Sequence, residues 1–274
     1  MSGSNLTRPT MSPTKMAMAG ALGGLLSGLF GVGGGIVMVP LFALWLGLDQ
    51  KRASATSLIA IIPIAGLAVV GYATGGSVDW VVGLALGLGS IVGAQLGVRA
   101  LPYIPIKALQ IGFAALLLYS AYGLVFPSDY GSTSHQGTGQ PWLLLIVVGV
   151  VAGALAGLLG VGGGVILVPA LVLLAGSNMD VARGTSLMVV LFTAVTASVT
   201  NIRAERADVK VGVVAGLIGA PVALLASYLG QWLPERQASI LFALLMLYAA
   251  AQMVLKALRK APVDATPTAL PGGE

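Results

Sequence analysis

Long apolar runs joined by short polar links account for most of the chain. Three runs of membrane-crossing length lie in the first half, at approximately Ala53–Thr74, Val78–Ala100 and Ile106–Phe126, and three in the second, at Gly184–Ile202, Val211–Leu229 and Gln237–Leu258. About 20 apolar residues cross roughly 30 Å of hydrocarbon as a helix, so each run predicts a transmembrane helix. Alternating segments of about ten residues, the mark of a membrane barrel, are absent from the sequence. Each half also opens on a broken run: Met16–Phe30, a glycine stretch Gly31–Gly35 and Ile36–Leu48, then Trp142–Leu159, Gly160–Gly164 and Val165–Ala175. The 15 and 13 residues flanking the first break rise only about 22 and 20 Å as helix, so neither is expected to span alone. Pro40 is expected in the first turn of the second piece, where a missing N–H costs nothing.

The two halves are copies. Gly28–Pro40 and Gly157–Pro169 share nine of thirteen residues at an offset of 129, and the ungapped comparison of Gly28–Phe126 with Gly157–Leu255 gives 34 identities in 99 positions. The offset pairs Thr56-Ser57-Leu58 with Thr185-Ser186-Leu187, Asp79 with Asp208 and Tyr72 with Asn201. A duplicated unit of this length is an architectural repeat. The expected organisation is a disordered tail over 1–15, a first transmembrane repeat over 16–126, a polar extracytoplasmic linker over 127–141, a second repeat over 142–260 and a disordered tail over 261–274.

Composition supports the membrane reading. Only 8% of the 274 residues are charged and 57% are hydrophobic, where soluble domains carry about 25% charged residues. The net charge of +5 does not call for nucleic acid, because Lys and Arg in short loops orient membrane helices. They also discriminate between threadings. If each broken run crosses once, the 14 basic residues divide eight inside to six outside. If each is a hairpin that returns to its own side, twelve lie inside and only Arg183 and Arg236 outside, a strong positive-inside bias. The hairpin threading leaves three full crossings per half, an odd number, so the second copy is inverted relative to the first. The expected fold is an all-α polytopic membrane protein of two inverted-topology repeats, each a glycine-broken re-entrant hairpin plus three transmembrane helices, in the inner (plasma) membrane with both termini cytoplasmic.

The residues available for chemistry are few. There is no Cys, and the single His, His135, falls in the linker. All nine acidic residues fall in loops, segment ends or tails, so no carboxylate is placed at mid-membrane as a proton relay or cation ligand. No enzyme, metal site or cofactor is expected. Short, glycine-interrupted segments at matching positions of two halves point to a transporter's central site. Gly33, Gly34, Gly35, Gly162, Gly163 and Gly164 precede helix starts and lack side chains, so their N–H groups can approach an anion closely with the helix dipole behind them. The competing reading is tight packing of small residues. Thr56, Ser57, Thr185 and Ser186 stand near the starts of long helices, either as caps or as hydroxyl donors to the same anion. Asn201 and Gln95 are polar residues within apolar segments, facing either a path or a partner helix. Arg52 and Arg183 either guard the two mouths electrostatically or, as the favoured reading, serve as an orientation signal (Arg52) and as the local partner of Asp180 (Arg183). With the cell interior negative, outward movement of a monovalent anion is favourable by about 2.3 kcal/mol per 100 mV.

The doubled Gly-Leu-Phe-Gly-Val-Gly-Gly-Gly block with Val39-Pro40, the Ala55-Thr-Ser-Leu58 stretch, Tyr72 and Gly76-Ser-Val-Asp79 resemble the TauE/SafE family over about Ala17–Leu258. The resemblance implies export of sulfite, an organosulfonate or a related sulfur oxyanion, with the bilayer and a small anion as partners, no nucleic acid, and homo-oligomerisation left open. An importer, facilitator or channel for another small anion is the alternative on the same fold. The second half departs at Glu205-Arg206-Ala207-Asp208, which bears on the symmetry of the loops.

Overall fold

The computed structural model describes residues 12–100, 106–126 and 142–258; most of the expected tails and the whole linker lie outside them. The described residues form ten α-helices and no strand. In chain order they are α1 (Pro13–Phe30), α2 (Gly35–Leu46), α3 (Gln50–Thr74), α4 (Trp80–Ala100), α5 (Ile106–Val125), α6 (Trp142–Leu159), α7 (Gly164–Ala175), α8 (Met179–Arg203), α9 (Val209–Gln231) and α10 (Glu235–Leu258). Adding 129 to the bounds of α1, α2 and α3 gives those of α6, α7 and α8 residue for residue. Six of the described helices are long and apolar enough to cross a membrane: α3, α4, α6, α8, α9 and α10.

The punctuation repeats with the helices. Asp49 caps α3 by accepting from the N–H groups of Lys51 and Arg52, and Asn178 caps α8 by accepting from that of Val181. Asp79 and Asp208 do the same for the first turns of α4 and α9. Each accepts orphan N–H groups that a helix start otherwise leaves open. Gly31 and Gly160 end α1 and α6 in the left-handed conformation, with φ of 73° and 71°.

Three expectations need correction. The first broken run is not two near-equal short pieces: α1 has 18 residues and α2 has 12, the same lengths as α6 and α7, and α6 spans Trp142–Leu159 as expected. Eighteen residues rise about 27 Å, and α6 alone is long enough to cross. Residues 13–15, expected in the disordered tail, form the first turn of α1 behind Ser12, with Pro13 at N1, where its missing N–H leaves nothing unpaired. Pro40 is not in the first turn of α2 but inside it, as Pro169 is inside α7. Both helices start one residue earlier than expected, on the last glycine of each break.

Packing interleaves the two halves. The contacts of α1 run mainly to α9, those of α6 to α4, and α3 and α8 meet at the centre. Close approach is possible because Gly20, Gly24 and Gly28 lie on one face of α1, where any Cβ would collide with the carbonyl oxygens of Ala215, Gly219 and Ala223. Gly149, Gly153 and Gly157 repeat this on α6 against Leu86, Ser90 and Ala94. Small residues spaced by four let helix backbones touch, which is the source of association where lipid is as apolar as the protein.

Candidate functional site

The chain turns sharply at each break. Gly34 lies against the backbone of Gly23, where a Cβ would collide with the Gly23 carbonyl oxygen, although eleven residues of continuous helix would separate the two by about 16 Å. Gly163 packs in the same way near Ala152 and Ala156. The turn needs left-handed backbone at Gly33 and Gly34 (φ 81° and 75°) and at Gly162 and Gly163 (φ 86° and 84°), a region that glycine enters without steric cost.

The two breaks cross at the centre of the molecule. A Cβ on Gly35 would lie 2.7 Å from both the Gly160 carbonyl oxygen and Val161 Cα, and one on Gly164 would lie 2.6 Å from the Gly31 oxygen and 2.7 Å from Val32 Cα. Gly33 and Gly162 instead face side chains: both look onto Val190 Cγ1, at 2.7 and 3.1 Å, and onto Ile61. Every residue from Phe30 to Gly35 and from Gly160 to Val168 is buried. Neither the start of α2 at Gly34 nor that of α7 at Gly163 receives a hydrogen bond from a capping side chain. Two helix starts, each with the positive end of its dipole, therefore converge on a buried, tightly packed crossing.

The Thr-Ser pairs hold this crossing together. Ser57 Oγ donates to the Gly160 carbonyl at 2.7 Å, and Ser186 Oγ to the Gly31 carbonyl at 2.9 Å. Thr56 Oγ1 accepts the Asp208 N–H and Thr185 Oγ1 accepts the Asp79 N–H, both at 2.9 Å. All four side chains are buried. None caps its own helix, because α3 and α8 start six residues earlier and carry Asp49 and Asn178 as caps. Each hydroxyl reaches the opposite half instead, so four reciprocal hydrogen bonds tie each break and each following helix start to the other unit.

The other two candidates stand apart. Asn201 is buried and donates from Nδ2 to Ala197 O within its own helix; it lies eleven residues, about 16 Å, along α8 from Val190. Gln95 is on an exposed face of α4, outside the crossing. Among the cations, Arg52 is exposed and Arg183 is completely buried. The expected ion pair with Asp180 is present at 3.4 Å, but burial of Arg183 was not legible from an i,i+3 spacing. Tyr72, also completely buried, donates to Gly28 O at 2.8 Å; its sequence signal was its place opposite Asn201 in the repeat.

Apolar spans wrapped around two uncapped, facing helix starts define a polytopic α-helical membrane protein of the transporter class. The sequence model of the family described as "Sulfite exporter TauE/SafE" matches residues 2–124 and 145–273, and the chain belongs to that family. Among similar proteins, the "Probable membrane transporter protein MJ0441" of Methanocaldococcus jannaschii is 24% identical over 219 residues, 77% of this chain and 79% of the relative. The "Probable membrane transporter protein YunE" of Bacillus subtilis is 28% identical over 123 residues, 42% of this chain, and the match spans only 45% of that relative's length. A "Probable membrane transporter protein" of Xylella fastidiosa is 30% identical over 177 residues, 63% of this chain and 67% of the relative.

Proposed function

We propose that the protein is a secondary transporter that exports a small sulfur oxyanion, sulfite or an organosulfonate, by alternating access at the crossing of the two breaks. The observation that carries the reading is the convergence of two side-chain-free, uncapped helix starts, α2 and α7, at the buried centre. Backbone N–H groups with a helix dipole behind them suit an anion. Gly33, Gly34 and Gly35 with Gly162, Gly163 and Gly164 supply those groups, and Thr56, Ser57, Thr185 and Ser186 supply hydroxyls once their cross-unit bonds open. Asn201 and Gln95 have no place in the crossing and drop out of the site.

The crossing as described is closed, since a methyl group would not fit at Gly35 or Gly164. Binding therefore requires the two units to part, and the four reciprocal hydrogen bonds are the contacts that parting must break and remake. In the topology that goes with this mechanism, α1–α2 and α6–α7 are re-entrant hairpins from opposite faces of the plasma membrane, both termini are cytoplasmic, and the units are inverted. The turn of Gly34 onto Gly23 favours a hairpin over one continuous crossing.

Two measurements test the proposal. Purified protein in proteoliposomes should move sulfite or sulfoacetate down its gradient; no flux of either, with movement of a cation or a neutral solute, would refute oxyanion transport. Single cysteines introduced into this Cys-free chain at Ser77 and Ser177 should label from outside, and one at Glu205 from the cytoplasm. Labelling of Ser177 from the cytoplasm alone would refute the hairpin topology.

A further inference from the structure

Two of the three guanidinium nitrogens of Arg183, Nε and Nη2, have no acceptor in hydrogen-bond geometry among the described residues, although the Tyr72 hydroxyl stands against the guanidinium. The residue is completely buried. Its Nη1 donates to the Gly230 carbonyl at 3.0 Å and lies 3.4 Å from Asp180 Oδ1. Arginine does not shed its charge inside proteins, and buried donors without acceptors cost free energy. The idle donors belong together. Nε–H and one N–H of Nη2 project from the same edge of the planar fork, and that edge matches two oxygens of a sulfonate, sulfite or carboxylate.

The backbone of Arg183 lies beside the first break, and its guanidinium reaches Gly230. Gly31, the first residue of its break, sits on the Arg183 backbone, where a Cβ would be 2.7 Å from Arg183 Cα. Tyr72 holds Gly28 O at the end of α1, and its hydroxyl would be 2.7 Å from a Cβ on Gly230, the residue whose carbonyl anchors Arg183. Two acidic residues face the same corner. Asp180 has a side chain 38% exposed, and Glu235 accepts the Met179 N–H. The partly exposed Asp180 side chain has solvent to turn into when an oxyanion takes its place.

The equivalent corner lacks all of this. Subtracting 129 from 183 gives Ser54, whose hydroxyl donates to Leu159 O at the end of α6 at 3.1 Å, and Gly160 packs on Ser54 as Gly31 packs on Arg183. A short neutral side chain thus fastens one break to the opposite unit. If fastening were the whole role of position 183, a buried cation with two spare donors would be a costly way to achieve it.

We infer that the Nε/Nη2 edge of Arg183 is a bidentate oxyanion site at one end of the path, where the substrate is received or released next to the glycine crossing. The inference rests on the transport reading above and adds a residue and a selectivity to it. An anion with two oxygens in reach meets both N–H bonds in line and is held; a halide, a single acceptor that meets the two parallel N–H bonds off axis, is held more weakly.

The test uses the full chain and sulfoacetate as probe, with chloride as the control anion. Arg183→Lys keeps the charge and loses the fork, and Arg183→Gln loses both. Each variant that keeps the thermal unfolding midpoint of the unsubstituted chain should bind sulfoacetate more weakly by about tenfold or more in calorimetry, the loss of one charged bidentate contact. Variants that fold and bind sulfoacetate as tightly as the unsubstituted chain overturn the site. If neither variant folds, modification of the unsubstituted protein by phenylglyoxal decides, read at the Arg183 peptide by mass spectrometry. Sulfoacetate should protect Arg183 severalfold relative to chloride; equal modification in the two salts, or none in either, overturns the site. Sulfoacetate flux that persists unchanged in folded Arg183 variants removes only this site, whereas an unsubstituted protein that neither binds nor carries an oxyanion removes the transport reading along with it.

Discussion

Glycine has two opposed uses in this molecule, and the face of α1 toward α9 differs from the break that follows it. Gly20, Gly24 and Gly28 sit in ordinary helical backbone, and what they provide is absence: three carbonyl oxygens of α9 occupy the space a Cβ would need. Gly31, Gly33 and Gly34 have φ between 73° and 81°, and what they provide is conformation. Gly33 also differs in what it faces, since Val190 and Ile61 side chains stand there rather than backbone. Side chains can move aside and backbone cannot. Along α1, glycines that face the carbonyls of α9 are therefore part of a fixed seam, whereas Gly33, which faces rotatable side chains, can border a space that opens. Glycine abundance alone, 39 residues here, distinguishes nothing.

The largest expected effect comes from filling the seam. Gly24→Ala puts a methyl into the Gly219 carbonyl, and relief requires α1 and α9 to separate along their length. We expect no monodisperse protein in size-exclusion chromatography in detergent, with Gly153→Ala failing in the same way on α6. Gly66→Ala, in α3 with nothing within 4 Å of the added atom, is the control. It should be neutral or raise stability by up to about 1 kcal/mol, the helix propensity difference between the two residues. A Gly24→Ala protein that melts with Gly66→Ala would break the distinction between seam and open positions.

Next come the hydrogen bonds that carry the crossing. Ser57→Ala with Ser186→Ala leaves the Gly160 and Gly31 carbonyls without the hydroxyls that reach them across the units. A buried group losing its partner costs about 1–3 kcal/mol, so the double variant should lose about twice that in equilibrium unfolding by denaturant. Since these hydroxyls are the ones proposed to reach the substrate once the units part, sulfite flux relative to folded protein should fall as well. Flux that rises or holds at the reduced stability would confine the two serines to latching the crossing. A third experiment probes the open-facing glycines. Gly33→Ala meets strain from its φ and from Val190 Cγ1 at 2.7 Å, and Gly162→Ala meets the same strain with Val190 farther off, at 3.1 Å. The φ term is common to both, about 1–2 kcal/mol. Adding Val190→Ala should therefore recover more of the unfolding free energy lost in Gly33→Ala than in Gly162→Ala. Equal recovery would show that Val190 does not define the crossing.

The duplicated plan was legible because glycine, proline, aspartate and Thr-Ser recur at one spacing, and those residues set helix ends. The start and end of α6 and the end of α3 follow directly. What could not be read was which helix touches which. In a soluble protein an apolar stripe marks the inside; here the outside is apolar too, and only small residues mark contact. The spacing of Gly20, Gly24 and Gly28 was in plain view, but nothing in it names α9. The same limit misdirected the reading of Gln95: its amide suggested an interior face, and it lies on an exposed one. Chain position alone allows Thr56 and Thr185 to be caps, but the caps stand seven residues earlier, in Asp49 and Asn178. Arg183 was legible as the neighbour of Asp180, but its burial arises from α1 and α9 closing over it, a tertiary fact.

The smallest predicted effect separates scaffold from site most cleanly. Thr56 and Thr185 use their oxygens as acceptors for the N–H groups of Asp208 and Asp79, at the entrances to α9 and α4. Valine has nearly the same shape and no acceptor, so Thr56→Val removes the bond without opening a cavity, at a cost of about 0.5–1.5 kcal/mol. Because Asp208 and Asp79 still cap their helices through their own side chains, the helices themselves should survive. If the two threonines serve only as scaffold, Thr56→Val and Thr185→Val lose equal stability and leave the concentration dependence of flux untouched. If their hydroxyls reach the substrate when the units part, the half-saturating concentration rises while stability falls by the same small amount. Equal loss with unchanged flux would confine the binding role to the glycine backbone, and a shift in one variant alone would mean that the substrate leans toward one unit.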